Sequence, residues 1–154
     1  MASTTDMTDE AWALQKQQYR ERLNTIIIPL DISAGVAKGL LARIDAFFSE
    51  IRLELAEMER KKERIDNIVR EWEREKANGS NEIQRKQNAT KAVQNFPLEQ
   101  GVTVNLYEVQ RQVTERHAYL QGVLDVLYGK QSRLITITGV LKLEKDLSPY
   151  GDLT

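Results

Sequence analysis

An all-α fold is what this 154-residue sequence predicts, and three observations carry it. The first is an apolar run at steps of three and four: Leu40, Ile44, Phe47, Ile51, Leu55, Met58, Ile65, Val69 and Trp72, broken only by Lys62. The second is a similar run of Leu106, Val109, Val113, Leu120, Leu124, Leu127, Leu134 and Leu141, with His117, Gln131 and Thr138 at intervening positions. Such spacing puts each set on one narrow stripe of a helix, and the stripe must be buried against another helix. The third is punctuation: Pro29, Asn78-Gly79-Ser80 and Pro97 divide the chain into helix-length segments. Together these predict a long antiparallel helical hairpin with an N-terminal helix and a short connecting helix. The packing is expected to be coiled-coil-like and the chain to form a homo-oligomer.

Residues 1–7 are small and polar and are expected to fray. Thr8 followed by Asp9 and Glu10 is a helix start, a hydroxyl cap with acids at the positive end of the dipole. That helix is expected over 8–28, because Pro29 pushes the residue before it out of the α region. Asp31 or Ser33 can cap the next helix, expected over 33–77, whose first turns contain Gly35 and Gly39 and must take their order from packing. At 1.5 Å per residue it is about 67 Å long. One extra step of four, from Ile51 to Leu55, is a stutter that locally unwinds a left-handed supercoil.

Gly79 suits the left-handed position after that helix, and Ser80 is placed to cap a short polar helix over 81–95. Gln100 to Asn105 alternates and reads as a brief extended piece, after which Asn105 caps a last long helix over 105–146. Beyond Gly129 two readings compete. The three-and-four spacing continues and favours helix, whereas Ile135-Thr136-Ile137-Thr138 alternates with β-branched side chains and favours strand. Helix is the reading adopted, in one domain of residues 1–154.

A formal net charge of -1 conceals an uneven distribution. Between Arg60 and Lys91 ten basic residues face six acidic ones, whereas the first 31 residues hold five acids and three bases. A locally basic region can attract an anionic polymer, and its plainer reading is a solvated face laced with ion pairs. There is no cysteine, so no disulfide framework or thiolate chemistry. No segment approaches the roughly 20 apolar residues of a membrane span. The N-terminus carries acids rather than the basic start of a secretory signal, so a cytoplasmic protein is expected.

Catalytic signatures do not emerge. His117 sits on the apolar stripe without further ligands at workable spacing, and a polar residue that sets helix register is its simpler reading. Glu54, Glu57, Glu63 and Asp66 lack the Glu-x-x-His pairs of a di-iron bundle. No glycine-rich phosphate loop or nucleophile elbow is present. The expectation is therefore no enzyme, no metal and no cofactor. Trp12 and Trp72 fall at seam positions and read as core rather than base-stacking platforms. What remains is the basic middle: Arg60, Lys61, Lys62 and Arg64 on the long helix, and Arg85, Lys86 and Lys91 on the short one. A hairpin is expected to bring both clusters to one pole, where copies would multiply them into a belt suited to a phosphate backbone.

Several stretches resemble the bacteriophage UvsY family of recombination mediators. They are Glu57-Met58-Glu59-Arg60-Lys61-Lys62, the Gly79 break, Glu82-Ile83-Gln84-Arg85-Lys86, and Leu124-Asp125-Val126-Leu127 with Arg133, within residues 50–140. The resemblance implies a helical hairpin that assembles into a ring, binds single-stranded DNA and loads a recombinase, in the host cytoplasm. It implies that Lys61 and Lys62 match the paired basic residues that contribute to DNA contact. The rival expectation is a phage structural, scaffolding or assembly protein acting through helix–helix contacts.

Overall fold

The computed structural model of the protein describes residues 7–151, with side chains as far as Ser148, so the expected fraying of the first six residues lies outside it. Its helices are α1 (Asp9–Thr25), α2 (Ala34–Lys76), α3 (Glu82–Gln94) and α4 (Leu106–Gly151). Between α3 and α4 stands a small antiparallel hairpin of β1 (Phe96–Pro97) and β2 (Thr103–Val104). The all-α class is as predicted. Packing divides the chain into two compact units: the part up to Glu54 together with that from Leu120 onward, and Leu55–Tyr119. One boundary falls at the Ile51–Leu55 stutter, where the apolar stripe changes phase.

In the first unit α1 begins as expected, the Thr8 hydroxyl accepting from the Ala11 amide at 3.2 Å. It ends at Thr25, three residues short of Ile28. Ile26 turns out of the helix (φ -90°, ψ 75°) and its side chain is buried, while its carbonyl accepts from Lys130 Nζ at 2.7 Å. Burying that isoleucine and satisfying its carbonyl replaces the last helical turn before Pro29. Ser33, not Asp31, caps α2: its Oγ accepts from the Val36 amide at 3.2 Å.

From there Leu40, Ile44, Phe47 and Ile51 are buried as the stripe requires, as are Leu120, Leu124, Leu127 and Leu134 of α4. Pairings of Asp45 with Gln131 (3.2 Å) and Arg52 with Tyr128 (2.7 Å) run in opposite directions along the two helices, hence antiparallel. Aromatic contacts fasten the layers. Phe48 meets Tyr128 edge to face at 4.6 Å, and Tyr19 of α1 lies 6.0 Å from Phe47. Arg22 covers the Phe47 ring at 3.8 Å while forming an ion pair with Glu50.

The contested stretch 134–146 is helical. Leu134 is fully buried, and the Thr136 and Thr138 hydroxyls donate to the carbonyls of Ser132 and Leu134 at 3.0 and 2.7 Å. Those bonds satisfy the threonines within the helix and remove the local advantage of a strand.

In the second unit Met58, Ile65 and Val69 of α2 are buried, as are Leu106 and Val113 of α4. Trp72 donates its indole N–H to the Ala92 carbonyl at 3.1 Å and meets Phe96 edge to face at 5.0 Å, so α3 returns alongside the end of α2. Gly79 has φ +148°, a different positive-φ region from the left-handed helical one expected, and an added Cβ would lie 2.8 Å from Gln84 Cβ. Asn81, not Ser80, caps α3, its Oδ1 accepting from the Gln84 amide at 2.8 Å. Ser80 instead donates both its amide and hydroxyl to Gln84 Oε1, at 3.1 and 2.8 Å. Of the alternating Gln100–Asn105 piece only Thr103–Val104 is a strand, with Phe96 opposite Val104, while Gln100 (φ 64°) and Gly101 (φ 74°) form the turn before it. Asn105 caps α4 as expected, accepting from the Tyr107 amide at 3.1 Å.

Candidate nucleic-acid interface

All seven predicted basic residues belong to the second unit, and they divide into two kinds. Arg60 and Arg64 are exposed, on the side of α2 turned away from Met58, Ile65 and Val69. Arg85, Lys86 and Lys91 are exposed on α3. Lys91 stands half a turn from the buried pair Ala89 and Val93, whereas Arg85 bends back to donate to the Gly79 carbonyl at 3.2 Å.

Lys61 and Lys62, the pair singled out by the resemblance, are half-buried. Lys61 is engaged with a neighbour, and Lys62 forms an ion pair with Asp66 at 3.2 Å. Lys62 also lines an open pocket of about 460 Å³ with Asp66, Val69, Glu73, Tyr107 and Gln110.

That pocket is a polar seam between α2 and α4. Asp66 accepts from Gln110 Nε2 at 2.7 Å, and Glu73 accepts from the Tyr107 hydroxyl at 2.5 Å. The Gln110 amide, then Lys62 and Arg70, hold the Asp66 carboxyl below its usual range against the opposing effect of burial. Burial, and then the Glu73 carboxylate, push the Tyr107 phenol upward. Both carboxylates are therefore committed to neighbours, and the pair fixes the register of α2 on α4 within this unit. The register role predicted for His117 belongs elsewhere. His117 is only half-buried, and Arg116, at 4 % exposure, is the polar side chain three residues after Val113 that takes the inner position.

The two basic clusters do not converge on one pole. Arg60 precedes the end of α2 at Lys76 by sixteen residues, about 24 Å of helix. Because α3 folds back along the last turns of α2, Lys91 lies level with Trp72, while Arg85 and Lys86 lie by the turn at Asn78–Gly79. The gap is bridged by Arg70 and Arg74, both exposed, which the spacing of four residues from one another could have brought into the site. Sorting charges by exposure sharpens the imbalance. From Arg60 to Lys91 the exposed cations are Arg60, Arg64, Arg70, Arg74, Arg85, Lys86 and Lys91, seven in all, against four exposed acids, Glu63, Glu71, Glu75 and Glu82. Asp66 and Glu73 are turned into the polar seam and subtract less from the outer field.

Comparison with protein-family models, with curated proteins and with solved structures finds no match for the chain. Among the described residues no helix is long and apolar enough to cross a membrane.

Proposed function

We propose that the protein is a non-enzymatic, oligomeric accessory factor that holds single-stranded DNA along the outer face of α2 and α3. The observation that carries this reading is the surplus of seven exposed cations over four acids on that face. Arginines dominate it, and a guanidinium can grip a phosphate through two N–H donors. Such contacts follow a backbone without reading bases, which suits a factor that must act on any strand. A role in recombination, as a mediator that helps load a recombinase, rests on the UvsY resemblance.

The test is substitution. Changing Arg60, Arg64, Arg85 and Lys86 together to glutamine should weaken binding to oligo-dT and flatten its salt dependence, while helicity stays unchanged. Lys62→Ala should weaken binding far less, because Lys62 is occupied by Asp66. Unaltered affinity in the folded quadruple variant would remove this face from the reading.

A second reading, a scaffolding or assembly subunit acting through helix contacts, is favoured by one observation. The end of α4 keeps large apolar side chains exposed, Leu143 at 62 % and Leu147 at 64 %.

A further inference from the structure

Between Asp125 and Leu147, α4 has two apolar faces where a helix on a protein surface needs one. The inner face, with Leu127 and Leu134, is buried in the first unit. The outer face carries Val140 (50 % exposed), Leu143 and Leu147, with no part of the described chain covering them. Toward the helix N-terminus the same outer face narrows to Gly129, Ser132, Thr136 and Gly139. A Cβ added at Gly129 or Gly139 would meet nothing within 4 Å, so packing inside the chain gives no reason for either. In a helix interior a glycine is less favourable than alanine, since it gives up more backbone freedom.

We propose that this outer face is a homodimer surface, closed by an antiparallel copy of the same helix. The outer face is small in its first half and large in its second, so antiparallel pairing lays each large half on a small one. Charge selects the same register. Arg133 and Glu144 lie on one edge of the face, and neither is ion-paired among the described residues. A two-fold axis passing between Thr138 and Gly139 sets Arg133 opposite the partner's Glu144, and Glu144 opposite the partner's Arg133. That register places Leu143 over the partner's Ser132 and the partner's Thr136. It also places Leu147 beside the partner's Gly129, where the absent side chain leaves room. Parallel pairing instead sets Asp125, in the middle of the face, against the partner's Asp125, and is disfavoured. The surface deepens the oligomeric part of the reading above and does not depend on nucleic acid.

Sedimentation of the full chain without DNA tests it. A concentration-dependent dimer is expected. Arg133→Glu removes both symmetry-related pairs and should weaken it by about tenfold, and Arg133→Glu with Glu144→Arg should restore it. Because the chain has no cysteine, oxidation of Gly139→Cys should cross-link two copies near the axis, whereas Gly122→Cys should not. A monomer at the highest soluble concentration would overturn the proposal. So would an oligomer indifferent to the charge reversals, or cross-linking of equal yield at the two cysteines. Loss of DNA binding with an intact dimer would instead strike the function alone.

Discussion

Asp66 is held in its charged form by the Gln110 amide first and by Lys62 and Arg70 after it, so folding and its ionisation are linked. Its folded pKa lies below the unfolded value. The stability it contributes is therefore present above the unfolded carboxylate pKa of about 4 and is lost as pH falls through the lower folded value. Asp66→Asn should leave a protein whose urea midpoint drops less than the wild type's as pH is lowered from about 5 through the carboxylate range. An identical drop would remove Asp66 from the acid-sensitive set. Glycines provide a second contrast at this scale. Gly79→Ala places a Cβ 2.8 Å from Gln84 Cβ at φ +148° and should destabilise by about 1–3 kcal/mol. Gly122→Ala meets open space inside α4 and should stabilise by about 0.5–1 kcal/mol. Urea unfolding of the two variants checks both signs.

At the scale of elements, what could be read in the sequence was what repetition encodes. Nine apolar positions in one helix and eight in another outvote any local preference, and seams of that length predicted α2, α4 and their antiparallel pairing. The same weight of numbers made Ile135–Thr138 helical despite its β-branched alternation, because Leu134 already anchors that turn in the core. Features decided by a single competition were less legible. Whether Ser80 or Asn81 caps α3 depends on which oxygen reaches the Gln84 amide, and both residues are good caps. The end of α1 depends on Ile26 finding a buried site and Lys130 finding its carbonyl, a contact 104 residues away in sequence. Strands of two residues, as in the Phe96–Val104 hairpin, are too short for periodicity to register. In the candidate site the exposed arginines could be read from charge alone. Diversion of Lys62 to Asp66 could not, since it needs Gln110 and Tyr107 to draw the acids inward.

Across the whole molecule the two units present different chemistry. Apolar side chains are left outward on α4 in the first, and arginines on α2 and α3 in the second. A factor of this make-up would assemble through one surface and hold a polyanion with another. Assembly then multiplies a modest cationic face, since linked weak sites bind a long strand far more tightly than one site does. The proposed binding of single strands by charge is measurable through counterion release. Fluorescence anisotropy of labelled oligo-dT and of its duplex, titrated at about 50 and 200 mM salt, reads it directly. If four of the seven cations engage phosphates, affinity for the single strand should fall by roughly fifty-fold over that range, with slope near 0.7 per contact. Single strand should also bind more tightly than duplex. No binding at the lower salt, or binding that ignores salt, would contradict the account.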